Sequence, residues 1–230
     1  MVCSMSYCTS YAFTHPGNIR MTNEDAYFTN DTSYLWIVCD GMGGHQEGSF
    51  ASHLVTDIFE EVALKGSLDN KIELIRAQFY NIFRVLQRKV GKLGNGAMIG
   101  TTFVLLLVEG NQAVSIHSGD SRCYMSRNKR LSMITQDHAQ IVSNEQGSRK
   151  MLTNALCAPG ELFLEIKTFQ VYANDTFLLC TDGFYDNLTN SAIREAMEND
   201  VLEHAMHLMS TKVLSEKADD NLTAVLVRIK

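Results

Sequence analysis

Acidic residues recur beside glycine at the ends of three apolar, strand-like runs. Asp40-Gly41 follows residues 36–39, Gly119-Asp120 follows residues 114–117, and Asp182-Gly183 follows residues 177–180. A single Asp-Gly pair is a common turn dipeptide, but three core strands that each end in a carboxylate need another explanation. Like charges gathered at one edge of a core repel and lose solvation, so such a cluster requires a compensating cation. Ligation by carboxylates, carbonyls and water suits magnesium or manganese, and nothing in the set favours zinc, which prefers His and Cys. Cys39 directly precedes Asp40, and strand alternation turns its thiol to the opposite face. Cys180 shares the strand parity of Asp182, with packing as its expected role and the site face as the alternative.

Just beyond Asp40, the run Gly41-Met42-Gly43-Gly44 lets the backbone turn sharply into a helix beginning near residues 46–49. No Lys-Ser/Thr pair follows it, which disfavours a nucleotide-binding P-loop. No cysteine is followed by five residues and an arginine, so a thiolate phosphate loop is set aside as well.

These residues must be held by a folded core. The chain has 230 residues, 45% of them hydrophobic and 20% charged, with 26 acids against 20 bases and a net charge of −6. That composition lacks the signature of disorder. Without a Lys/Arg-rich stripe, nucleic acid is not an expected partner. The longest apolar runs, such as residues 103–108, fall far short of the roughly 20 residues that span a bilayer. Residues 1–9 lack a basic region followed by a long apolar stretch, so the expected location is the cytoplasm. The six cysteines show no paired spacing and read as reduced, packed thiols.

Strands are expected at residues 34–39, 102–108, 113–117, 163–172, 176–180 and 222–229. Several are apolar at consecutive positions, as in strands covered on both faces. Helical stripes run through Ala51, Leu54, Val55, Ile58 and Val62 and through Ile72, Ile75, Phe79, Ile82, Leu86 and Val90. A second helix pair follows at Ile193 to Met197 and Leu202 to Val213, broken near Asn199 and Asp200. Tight turns are expected at residues 109–111 and 127–129. Runs of each element type, rather than strict alternation, favour α+β. The expected fold is a single domain over residues 1–230, a four-layer αββα sandwich of two antiparallel sheets flanked by pairs of helices.

Eight short pieces then occur in order: Arg20-Met21-Thr22-Asn23-Glu24-Asp25, Asp40-Gly41-Met42-Gly43-Gly44-His45, Ala51-Ser52, Gly100-Thr101-Thr102, Gly119-Asp120-Ser121-Arg122, Thr135-Gln136-Asp137-His138, Thr181-Asp182-Gly183 and Asp220-Asn221-Leu222-Thr223. In this set, covering almost the whole chain, the sequence resembles the metal-dependent protein phosphatases of type 2C in their compact bacterial form. The resemblance implies the same layered fold and a serine/threonine protein phosphatase. It further implies that Asp40 bridges two manganese or magnesium ions. Glu24 and the Gly41 carbonyl complete one site, and Asp182 and Asp220 the other. Asp120, with Asp182 and Asp186, resembles the family's third, weaker metal site. Arg20 matches the phosphate-binding arginine, a role suited to a planar cation. Asp25 and Asn221 look like residues that orient the ligands or metal-bound water. Arg20, Asp40 and Asp182 are thus the implied catalytic core, and the implied reaction is direct attack on phosphoserine or phosphothreonine by a hydroxide bridging the metals.

Two features depart from the family pattern. Some relatives place a leaving-group acid directly after the Asp-Gly, where this chain has Met42. His45 is the remaining candidate donor in that loop, and a metal-bound water the alternative. His138 is expected to hold structure, and His15, His53, His117, His204 and His207 have no carboxylate or Cys partners at ligand spacing. Residues 140–161, where relatives carry a flap, look shortened by about ten residues against that family pattern. The expected partners are phosphoproteins and a cognate serine/threonine kinase, and the chain is read as a monomer. Alternatives are a non-catalytic, partner-binding member of the fold and a phosphatase dedicated to an anti-sigma or secretion regulator. Seven acids (Glu24, Asp25, Asp40, Asp120, Asp182, Asp186 and Asp220) fall in or beside the proposed site, and without them 19 acids face 20 bases. The net acidity is local to the site, so metal is expected to stabilise the fold.

Overall fold

The computed structural model describes residues 7–43, 46–93, 97–144, 147–158 and 161–230. The chain order is β1 (Cys8–His15), β2 (Ala26–Asn30), β3 (Leu35–Met42), α1 (Gln46–Glu61), α2 (Leu68–Leu93), β4 (Ile99–Glu109), β5 (Gln112–Ser118), β6 (Arg122–Arg127) and β7 (Arg130–Met133). It continues with β8 (Ala139–Asn144), β9 (Gly147–Leu152), β10 (Leu156–Ala158), β11 (Glu165–Gln170), β12 (Thr176–Cys180), α3 (Asp182–Tyr185), α4 (Asn190–Met197), α5 (Leu202–Ser215) and β13 (Leu222–Ile229). One sheet has the order β1-β13-β12-β6-β7. The other runs β11-β5-β4-β3-β2, with β10 paired to β4, and β8 and β9 form a separate hairpin. Every strand pairing among the described residues is antiparallel.

Side-chain alternation along the central strands builds three apolar layers. Leu35, Ile37 and Cys39 of β3, with Phe103, Leu105 and Leu107 of β4, pack against Val55, Phe59, Ile75, Phe79 and Ile82 of α1 and α2. The intervening residues Trp36, Val38, Val104 and Leu106 meet Phe177 and Leu179 of β12 and Val225 and Val227 of β13 between the sheets. Leu178, Cys180, Ala224 and Leu226 face α4 and α5 on the far side. The result is the expected helix–sheet–sheet–helix layering. The two hairpin turns also fall as expected: Gly110 has φ 59°, and Asn128 and Lys129 have φ 50° and 62°, the left-handed pair that matches the twist of a two-residue hairpin.

This layering decides two questions about cysteine. Asp40 continues the inter-sheet series of Trp36 and Val38, so Cys39 points away from it into the helix-side core. Cys180 is likewise buried on the side of α4 and α5. Strand parity does not carry from Cys180 to Asp182, because β12 ends at Cys180 and Asp182 opens α3. Cys8, Cys39, Cys123 and Cys180 are buried thiols, each held well above the ordinary thiol pKa by burial. The expected strand over residues 163–172 is trimmed to Glu165–Gln170, with Phe163 and Tyr172 exposed beyond its ends. No described helix is long and apolar enough to cross a membrane.

Candidate active site

Both sheets end at one edge of the inter-sheet layer, and their terminal loops meet there around a cavity of about 340 Å³. Asp40 comes from the end of β3, Asp120 from the β5–β6 loop, Asp182 from the start of α3, and Asp220 and Asn221 from the residues before β13. Arg20 and Glu24 arrive on the β1–β2 connection. The backbone of Gly41 lines the same cavity. Five carboxylates and Arg20, separated by up to 200 positions in the chain, therefore converge.

Glu24 is fixed by its surroundings. Its backbone N–H donates to Asn221 Oδ1 (2.8 Å) and its carbonyl accepts from Ser52 Oγ (2.5 Å). The Asn221 amide also donates to the carbonyls of Pro16 (3.0 Å) and Thr22 (2.9 Å), so one side chain ties the whole β1–β2 connection to β13. Space is equally tight. A Cβ on Gly48 would stand 2.0 Å from Glu24 Oε2, and a Cβ on Gly41 would stand 2.3 Å from the Gly48 carbonyl oxygen. Glycine at both positions is what lets β3, α1 and Glu24 approach one another. Gly48 is not apparent from sequence, where it reads only as an early helix residue.

The carboxylates crowd one another. Burial, reinforced by neighbouring aspartates, holds Asp40 well above the usual carboxylate range and pushes Asp182 up to about 6. Asp25 is 4% exposed. Burial lifts it to about 7, although the hydroxyls of Thr223 and Thr181 oppose the rise. Thr181 Oγ1 donates to Asp25 Oδ2 (3.0 Å), while Asp25 Oδ1 is buried without a hydrogen-bond partner. An all-oxygen donor set, mutual repulsion and an orphaned carboxylate oxygen are the conditions a hard divalent cation relieves. The residues present thus fit the metal pair expected at Asp40.

Arg20 Nη2 lies 3.1 Å from Asp220 Oδ2, and both side chains are about half exposed. An ion pair so exposed costs little to break, which leaves the guanidinium available to a phosphate.

The third position is arranged differently. Lys150, on β9, forms an ion pair with Asp120 Oδ2, and its Nζ is 3.9 Å from Asp182 Oδ2. It also donates to the Tyr185 hydroxyl (2.7 Å), which in turn donates to the Asp120 carbonyl (3.0 Å). Burial alone would lower the Lys150 pKa, but the contact with Asp120 outweighs it and the ammonium is held above its ordinary value. Asp186 stands exposed just past α3, outside the residues that line the cavity. Lys150 was not among the residues singled out from sequence, since its approach depends on how the β8–β9 hairpin folds back.

Met42 lines the cavity and carries no exchangeable proton, His45 lies outside the described residues, and no histidine lines it among those described. His138 ties structure together, as expected. Its Nδ1 accepts from Gly119 N–H (3.2 Å) and lies 3.0 Å from Asn154 Nδ2, and its Nε2 is 3.1 Å from Glu165 Oε2. His117, which sequence spacing left without a carboxylate, is 4.0 Å from the same Glu165 oxygen and stacks on His138. Burial lowers its pKa, and its Nε2–H donates to the Gln136 carbonyl (2.9 Å). Two nearly parallel imidazoles cannot both aim their in-plane lone pairs at one ion, so this cluster is a hydrogen-bonded brace beside Asp120.

Comparison with known proteins places the chain by sequence and fold. The chain is 32% identical to the serine/threonine phosphatase stp of Listeria welshimeri, over 93% of each chain. PppA of Pseudomonas aeruginosa, described as a key regulatory component of T6SS, superposes with a TM-score of 0.91 at 30% identity, covering 98% of this chain and 99% of that one. The catalytic domain of the serine/threonine protein phosphatase PstP, solved with two manganese ions, superposes with a TM-score of 0.81 at 26% identity, over 98% and 99%. The family model of protein phosphatase 2C matches residues 20–226, and the chain belongs to that family.

Proposed function

We infer that the chain is a metal-dependent serine/threonine protein phosphatase whose centre is formed by Asp40, Glu24, Asp182, Asp220 and the Gly41 carbonyl. The observation that carries this reading is the convergence of those carboxylates with Arg20 on one cavity at the mouth of both sheets. When bound there, divalent ions supply Lewis acidity, lowering the pKa of water and screening phosphate charge. The chain's own residues do the rest. Asp40, held well above the usual carboxylate range by burial and then by the neighbouring aspartates, is a carboxylate that a cation would relieve. Asn221 and Ser52 hold the Glu24 backbone, which places its carboxylate against Gly48. Arg20 exchanges Asp220 for two oxygens of a phosphomonoester, binding and orienting it. Asp25, anchored by Thr181, supports the inner carboxylates from behind.

Manganese or magnesium would fill the centre, since all-oxygen ligation suits both, and the PstP structure with two manganese ions makes manganese the ion to test first. Residues 1–230 act as one catalytic unit, working in the cytoplasm as a monomer opposite a serine/threonine kinase. The likeness to PppA favours a second reading of the substrate, a phosphorylated regulator of secretion. The test is manganese-dependent hydrolysis of a phosphothreonine peptide by the purified protein. Turnover that disappears in chelator and in Asp182→Ala supports the inference, and a peptide left intact by the manganese-loaded protein refutes it.

A further inference from the structure

We propose that Lys150 is a built-in cation at the third position, so that this chain binds two divalent ions where the family pattern would admit three. The proposal rests on the metal centre inferred above and concerns the neighbouring group of acids. Lys150 and Leu152 lie two residues apart on β9, and both reach the cavity. The ammonium pairs with Asp120, the residue on which a third ion would depend, and lies within 4 Å of Asp182. Its remaining environment is also built. The Tyr185 hydroxyl accepts from it, the Tyr185 ring lies 5.2 Å beneath it, and Tyr185 is itself held by Arg122, stacked 3.6 Å over the ring. Arg122 is fixed in turn by two hydrogen bonds to Asp137.

The hairpin that carries Lys150 is bolted to the Asp120 loop. Thr153 N–H donates to the His138 carbonyl (2.8 Å), His138 N–H donates to the Gly119 carbonyl (2.9 Å), and Asn154 donates to Ser118 Oγ (2.8 Å). Asp186, the remaining acid of the third group, stands exposed outside the cavity. A third ion would therefore meet a positive charge already seated on its principal ligand, held by residues anchored on both sides of Asp120. The third position does not fit an ion while Lys150 occupies it.

The experiment counts manganese ions on the purified chain by native mass spectrometry, with free manganese followed by electron paramagnetic resonance. Wild type and the charge-preserving Lys150→Arg are expected to saturate at two ions. Lys150→Met is expected to take a third, at least tenfold more tightly than any third binding event in wild type. Equal third-ion binding in wild type and Lys150→Met overturns the proposal. If Lys150→Met does not fold, as judged by its melting transition, the wild-type count decides: two ions at saturation support the proposal and three overturn it. A chain that takes up no manganese overturns the metal centre and this assignment with it.

Discussion

Replacing Asp25 with Asn exposes the electrostatic strain of the site in a form that can be measured. Asp25 is 4% exposed, and burial raises its carboxyl to about 7, whereas in the unfolded chain it titrates near 3.9. A raised folded-state pKa favours the folded protein while the group is protonated. That advantage is complete below about pH 4 and drains away as the pH climbs to about 7. The slope is about 1.4 kcal/mol per pH unit until the pH nears the folded pKa, so between pH 5 and pH 8 the metal-free wild type gives up about 2.6 kcal/mol that an uncharged Asn keeps. In a domain of this size each kcal/mol moves Tm by about 2–4 °C. The difference in Tm between Asp25→Asn and wild type should widen in favour of the variant by about 5–10 °C from pH 5 to pH 8. The assay is scanning calorimetry in chelator across that range. A difference that stays constant with pH would refute the reasoning, whatever its sign. Saturating manganese should shrink or reverse the gap at pH 8, because a cation favours the ionised cluster that Asn depletes.

Three further outcomes are expected. Manganese at about 100 times its dissociation constant stabilises the fold by about 2.7 kcal/mol, seen as a rise in Tm of about 5–10 °C that chelator reverses; an unchanged melting temperature counts against the metal centre. Gly48→Ala places a methyl group on Glu24 Oε2, so manganese affinity should fall about 10–100-fold, the range typical of disturbed ligand support, while the far-ultraviolet circular dichroism is unchanged; wild-type affinity in a folded variant would show that Glu24 is not a ligand. Arg20→Ala should raise KM for a phosphopeptide about 10–100-fold, the equivalent of one strong charge-assisted interaction, with Lys at that position restoring only part of it; an unaltered KM removes Arg20 from phosphate binding.

The parts of the fold that were legible in the sequence are those buried on two faces. β3, β4, β5, β12 and β13 read as continuous apolar runs because one side meets the helices and the other meets the opposite sheet. β1, β2, β7 and the β8–β9 hairpin are edges or half-exposed ribbons with mixed burial, and their patterns carry too little contrast to stand out. α3 is four residues long, below any helical period. Within the site, Asp40, Asp120 and Asp182 were visible because each ends a core strand beside a glycine. Lys150 and Gly48 were not, since their roles depend on contacts between segments far apart in sequence. Asp186, expected at the third position by resemblance, stands exposed at the rim just past α3, near enough to feel the charges of Lys150 and Asp120.

The pairing of β1 with β13 has a consequence for how the protein comes into being. Cys8 lies opposite Ile229 and His15 opposite Leu222, so among the described residues β1 has β13 as its only sheet partner. The loop it closes runs from His15 to Leu222, and long-range strand pairing of this kind is slow. During synthesis, β1 waits beside the growing chain with its edge unpaired until residues 222–229 leave the ribosome. Arg20 and Glu24, on the segment that follows β1, meet Asp220 and Asn221 only at that moment. On the proposed assignment, a nascent chain can therefore pack α1 and α2 on β3–β5 early while the centre stays incomplete until β13 is in place.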